Sequence, residues 1–200
     1  MLERRSLISS TKNALFEQLC DSIDRRFDAS LNLSDYQSDP VGFGETVLGE
    51  TYTNDVKRMM ESVRDHPITI ARSANATGKT HSAARIAVWF YKSFLDGQVY
   101  TAAAPPESNL KKLLWGEIGG LAERHPDLFK QDALKSLHIE RSAQSFLTGV
   151  TIPMSGTPAQ RQAKFSGKHA PHLLFILDEG DAIPDEVYTV SYTHLRAHET

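Results

Sequence analysis

Apolar positions along the chain fall into two rhythms, one helical and one extended. Over residues 12–27, Leu15, Phe16, Leu19, Cys20, Ile23 and Phe27 recur at a period near 3.6, and Ser10-Thr11 can cap the start. Residues 28–54, rich in Ser, Asp, Asn and Gly, read as a loop or linker. Val56, Met59, Met60 and Val63 mark a short amphipathic helix that His66-Pro67 stops. Ile68-Thr69-Ile70 is a β-branched run and predicts a buried strand. A helix follows over residues 80–95, burying Ala83, Ala84, Ala87, Val88, Tyr91 and Phe94 and ended by Asp96-Gly97. Residues 99–103 predict a second strand, closed by Pro105-Pro106. Residues 107–124 predict a helix with Leu110, Leu113, Leu114, Ile118 and Leu121 on one face. Two short strands over 137–140 and 148–152 suit a hairpin. Leu173-Leu174-Phe175-Ile176-Leu177 is apolar throughout and predicts a central strand buried on both faces. Strand, helix, strand, helix in this order predicts an α/β fold with a parallel central sheet flanked by helices.

Composition narrows the class. A hydrophobic content of 40% and a charged content of 24% are ordinary for a globular chain. The apolar runs are too short to span a bilayer, and the N-terminus lacks the apolar core of a secretory signal. One cysteine, Cys20, leaves no internal disulfide and fits a reducing cytoplasm. A net charge of −3 gives no global pull toward nucleic acid, so a DNA contact needs a local patch. The most positive stretch holds Arg141, Arg161, Lys164 and Lys168, with His169 and His172, and no acid between Glu140 and Asp178. Contact with phosphates and a merely solvated loop both fit it. His169 and His172 lack further ligands spaced for zinc and read as structural. Asp127, Asp132, Asp181 and Asp185 are scattered and read as surface acids.

Two segments carry chemistry. Between the strand at 68–70 and the helix from 80 lie Ser73, Ala74, Asn75, Ala76, Thr77, Gly78, Lys79 and Thr80. A strand, a loop of small residues and a helix start cradle a polyphosphate on backbone N–H groups. Lys79 would reach the β- and γ-phosphates, and the Thr80 hydroxyl would ligate Mg²⁺. The pattern G-x-x-x-x-G-K-[ST] asks for glycine where this chain has Ser73. The second segment is the apolar run ending in Asp178-Glu179. Carboxylates at the carboxyl end of a strand lie where open α/β sheets bind ligands. Asp178 would hold Mg²⁺ opposite Thr80, and Glu179 would orient and deprotonate an attacking water.

Taken together these segments resemble the N-terminal ATPase domain of the large terminase subunit, which packages double-stranded DNA into tailed-bacteriophage capsids. The resemblance covers residues 39–188. It includes Asp39-Pro40-Val41-Gly42-Phe43, the loop from Arg72 to Thr80, Thr101-Ala102-Ala103-Ala104-Pro105, and Leu114-Trp115-Gly116-Glu117-Ile118. Ser166-Gly167-Lys168-His169-Ala170 and Ile183-Pro184-Asp185-Glu186 flank the acidic pair in the same manner. It implies a P-loop NTPase fold of the ASCE type, with ATP and Mg²⁺ as cofactors. Arg72, matching the basic residue that begins many terminase phosphate loops, would sense or stabilise the γ-phosphate. The implied partners are double-stranded DNA, a portal protein, a small terminase subunit and further copies in a ring. The implied location is the host cytoplasm, transiently at the procapsid. The family's adenine-contacting glutamine has no match around Tyr52-Thr53-Asn54-Asp55. A helicase-like or repair ATPase, and a non-catalytic DNA-binding assembly module, are the alternatives.

The resemblance implies a helical arm and linker over 1–38, a partial P-loop ATPase domain over 39–190, and a tail over 191–200 that is non-native in character. The family's strand order, 5-1-4-3-2, inserts the strand after Asp178-Glu179 beside the phosphate-loop strand. That strand and the nuclease domain are not in this sequence. The sheet is therefore expected to be incomplete at the C-terminus, and the segment itself to bind ATP weakly, if at all, and to hydrolyse it negligibly.

Overall fold

The computed structural model describes residues 32–72, 78–153 and 155–189. The described residues from Ser34 onward belong to one compact unit. The expected helix over 12–27 and the tail over 191–200 lie outside the described residues.

The segment read as a linker contributes to the core. Asp39 caps a helical turn at Pro40–Gly42, its carboxylate accepting from the Gly42 N–H at 2.8 Å. The turn widens into Phe43–Val47, and Phe43 and Leu48 are buried. Apolar residues spaced through a polar segment were enough to fold it inward. Helix α1, Asn54–Asp65, follows the predicted stripe and buries Met60. It stops at His66, where the residue before Pro67 turns extended.

Residues 68–70 are not a strand. Ile68 and Ile70 are 43% and 75% exposed, and Thr69 shares a hydroxyl hydrogen bond with Ser62 of α1. β-branched residues favour an extended backbone, but a strand needs a neighbour to pair with, and among the described residues these have none in the sheet.

Helix α2, Lys79–Ser93, buries Ala84, Ile86, Ala87, Val88, Trp89 and Tyr91. Strand β1, Gly97–Ala103, follows it. The predicted helix over 107–124 is a succession of Glu107–Asn109, a wider π turn at Leu110–Leu114, and helix α3, Trp115–Arg124. The extra residue in the π turn shifts the phase of the stripe. Leu110, Leu114, Ile118 and Leu121 are buried, while Leu113 is half exposed.

The sheet is mixed rather than wholly parallel. Strands β2 (Ala133–Lys135), β3 (His138–Ser142), β4 (Ser145–Gly149) and β5 (His172–Asp178) join β1 in the order β2-β3-β4-β1-β5. β4 and β5 run parallel to β1, and β2, β3 and β4 form an antiparallel meander. Among the described residues β5 pairs with β1 alone and lies at the edge of the sheet rather than at the expected central position, and Leu173 through Leu177 are only partly buried. Its apolar side chains lack the cover that a second neighbour would supply. Alternation along β1 sends Val99 and Thr101 to the face where Trp115 of α3 packs, its indole N–H donating to the Thr101 hydroxyl at 2.9 Å. Tyr100 and Ala102 face the other way. Ala102 meets Ala104, Ile152, Phe165, Ile183 and Val187 in a second core, and Tyr100 stacks on Phe175. Before Phe165 runs the short helix α4, Pro158–Ala163, closed by a capping box between Thr157 and Gln160.

Candidate functional site

The carboxyl ends of β1 and β5 coincide, with Ala103 opposite Asp178 and the Ala104 N–H donating to the Asp178 carbonyl at 3.2 Å. The head of α2 meets them there. Gly78 adopts φ 82°, a left-handed conformation that glycine takes without strain, and its carbonyl accepts both the Ser82 N–H and the Ser82 hydroxyl. Lys79 and Thr80 open the helix. The Thr80 hydroxyl donates to Asp178 Oδ2 at 2.9 Å, joining residues 98 positions apart.

Asp178 is 8% exposed, and its other carboxylate oxygen accepts the Glu179 N–H at 3.1 Å. Glu179 itself is exposed and left-handed, at φ 54° and ψ 46°. This is an uncommon backbone for a residue with a side chain, and it turns the chain sharply where β5 ends. Arg72 is exposed at the last described position before the loop. Ser73, Ala74, Asn75, Ala76 and Thr77 lie outside the described residues. Thr80 at the helix start thus stands opposite Asp178, while the strand expected at 68–70, ahead of the loop, is not among the strands of the sheet.

Thr80 and Asp178 together offer hard oxygen donors. An octahedral Mg²⁺ site with bonds of about 2.0–2.1 Å separates neighbouring ligand oxygens by about 2.9 Å. The spacing observed between Thr80 Oγ1 and Asp178 Oδ2 matches it. The residues present fit that cation.

Behind the helix start sits a charge cluster that the sequence pattern did not single out. Arg85 of α2 is 2% exposed. Its Nε and Nη2 donate to the Glu50 carboxylate at 2.9 and 2.7 Å, and Nη1 donates to Glu117 Oε2 of α3 at 2.6 Å. His81 Nδ1 lies 3.1 Å from the same Glu117 oxygen, and the Tyr52 hydroxyl donates to Glu50 at 2.9 Å. Burial alone would raise the pKa of Glu50 and Glu117. The Arg85 hydrogen bonds and charge outweigh it and hold both carboxyls below their ordinary value. Tyr52 is pushed up by burial and by the adjoining Glu50 charge. The available signal was Arg85 itself, a cation set among the alanines in the middle of α2, which demands carboxylate partners if buried.

The basic stretch is largely tied into the domain. Arg161 donates to Glu186 at 2.5 Å and to the Gly156 carbonyl, and Lys164 to the Thr151 carbonyl. Lys168 lies over the Tyr100 ring and Arg141 over the Tyr91 ring. His172 pairs with Asp96 at 2.7 Å, at the far end of β5 from Asp178. Among the described residues no group of three or more His, Cys, Asp or Glu is placed to hold a metal. Asp132 departs from its reading as a surface acid. Its side chain is 1% exposed and bonds Lys92 and the Tyr91 hydroxyl.

No family model matches the sequence, and no solved structure matches the chain. Among curated proteins the chain is similar to a probable terminase, large subunit, of Enterobacteria phage P7, with 26% identity over 159 residues. The match takes in 78% of this chain and 32% of that protein, so the chain spans about a third of the relative's length. No helix among the described residues is long and apolar enough to cross a membrane.

Proposed function

We propose that this chain carries the ATP-hydrolysing site of a DNA-packaging motor, the large terminase subunit, on a P-loop NTPase fold. The observation that carries the reading is the 2.9 Å hydrogen bond from Thr80 to Asp178. It brings the Gly78-Lys79-Thr80 helix start and the acidic end of β5 to one place, as a shared metal and triphosphate require. The similarity to a phage protein named as a probable terminase supports the same reading independently.

In this reading residues 73–80 wrap the phosphates, and Lys79 neutralises the β- and γ-phosphate charge. Thr80 and Asp178 hold Mg²⁺, directly or through water, and bound Mg²⁺ supplies charge stabilisation at the phosphate oxygens. Glu179 stands beyond Asp178 and takes the proton of the attacking water. Arg72 would add positive charge near the γ-phosphate. The substrate is double-stranded DNA, moved by a ring of subunits on a portal protein with a small subunit as partner.

Titration of the purified chain with a fluorescent ATP analogue and Mg²⁺, up to millimolar concentrations, tests the site. Binding that disappears in Lys79→Ala is expected. Binding indifferent to Lys79, or ATP turnover that survives Lys79→Ala, would overturn the proposal.

A further inference from the structure

We infer that Glu117 is a positioning residue that sets the rotation of α2 and thereby holds Thr80 against Asp178. The inference deepens the proposed nucleotide site and rests on that reading for its consequence, though not for its geometry.

One carboxylate oxygen of Glu117 is shared by two groups on successive turns of α2. It accepts from Arg85 Nη1 at 2.6 Å and lies 3.1 Å from His81 Nδ1. Residues four apart share a helix face, so a single oxygen pins that face at two heights. His81 directly follows Thr80. The opposite edge of the Arg85 guanidinium is held by Glu50 through two nitrogens, so Arg85 cannot follow a displaced helix without breaking a bidentate pair.

Glu117 is itself fixed. Two residues earlier, Trp115 bonds Thr101 of β1, and Ile118 and Leu121 are fully buried. β1 pairs along its whole length with β5, which ends in Asp178. The contacts close a ring that runs from Asp178 through β5 and β1 to Trp115 and Glu117, then through Arg85 and His81 to Thr80 and back to Asp178. A helix with side chains has a radius of about 5–6 Å, so a rotation of only 20° would move Thr80 by about 2 Å. That displacement would break the contact with Asp178. Glu117 is the member of the ring best placed to be removed harmlessly, since its side chain is 40% exposed whereas that of Arg85 is 2% exposed.

Two measurements on the purified chain test the role, with Glu117→Ala and the isosteric Glu117→Gln. The first needs no ligand. Amide hydrogen exchange over residues 82–86 should accelerate at least fivefold in Glu117→Ala, while β1 and β5 keep wild-type protection. Unchanged exchange there would overturn the inference, and so would equal acceleration across β1 and β5, which would mark general loosening. The second compares affinity for the fluorescent ATP analogue with and without Mg²⁺. Mispositioning Thr80 should shrink the gain conferred by Mg²⁺ at least fivefold and leave the metal-free affinity within twofold. Glu117→Gln, which keeps an oxygen toward Arg85, should fall between. An unchanged gain, or equal loss in both conditions, would overturn the inference. Faster exchange at 82–86 together with nucleotide binding that ignores Lys79→Ala would uphold the clamp and sink only the nucleotide reading.

Discussion

The Thr80 hydroxyl and the Asp178 carboxylate, 98 residues apart, meet at 2.9 Å where helix α2 begins and strand β5 ends. Asp178 is 8% exposed, so its oxygen has little water to fall back on. Thr80→Val keeps the shape of the side chain and deletes the donor. It should cost about 1–3 kcal/mol through the unsatisfied carboxylate, measured by urea denaturation. Thr80→Ser, which retains the hydroxyl, should lose less than half of that. An equal loss in both variants would mean that the methyl packing, not the hydrogen bond, matters.

Parts of this arrangement were readable in the residues and parts were not. That Thr80 stands opposite Asp178 was legible, because a hydroxyl at a helix start and an acid ending an apolar strand are residue types that can serve one ligand. The stripes of α1 and α2 and the run of β1 were equally plain. Residues 68–70 and β5 were misplaced for one reason. Propensity and apolarity describe what a segment prefers, whereas membership of a sheet and position within it depend on a partner elsewhere in the chain. β2 is three exposed residues with no pattern to detect. The Arg85 cluster escaped because its carboxylates lie 35 residues before it and 32 after it, and only the packing of α3 on α2 brings them together.

Glu179 occupies a left-handed backbone at φ 54° directly after Asp178. Such a backbone costs a side-chain-bearing residue of order 1 kcal/mol, and glycine avoids most of it. Glu179→Gly should therefore raise stability by about 0.5–1 kcal/mol in urea denaturation, while Glu179→Gln should leave it unchanged. Both substitutions remove the proposed base, and neither should weaken nucleotide binding. Destabilisation by Glu179→Gly would show that the glutamate side chain holds the turn in place.

The carboxylates that grip Arg85 make the fold sensitive to acid. Glu50 and Glu117 are both held below their ordinary pKa of 4.5 by the guanidinium, which overrides the opposing effect of burial. A carboxyl with a lowered folded-state pKa stabilises the fold above its unfolded value, and that contribution fades as pH falls through the folded one. The denaturation midpoint of the wild-type chain should thus drop as pH is lowered below about 4.5. Glu50→Gln/Glu117→Gln should start lower at pH 7 and drop less steeply. Parallel pH profiles would place the acid sensitivity elsewhere.

Asp132 should prove to be a stability residue rather than a surface acid. Its carboxylate is 1% exposed, bonds Lys92, accepts from the Tyr91 hydroxyl at 2.8 Å and lies 4.0 Å from Arg141. Lys92 also donates to the Leu128 carbonyl, and burial pushes its pKa down to about 8 in spite of the nearby carboxylate. Removing one partner of a buried pair leaves the other charged and uncompensated, at a cost of about 3–5 kcal/mol. Asp132→Ala should lose that much at neutral pH, whereas Asp127→Ala, at an exposed position, should change stability by less than about 0.5 kcal/mol. The pH dependence gives a second check. Without Asp132 the folded-state pKa of Lys92 falls further below its ordinary value, so over a wider range the unfolded chain binds the extra proton and stability rises with pH. The deficit of Asp132→Ala relative to wild type should therefore be larger at pH 6 than at pH 9. A deficit independent of pH would mean that Asp132 acts through Tyr91 and Arg141 and not through Lys92.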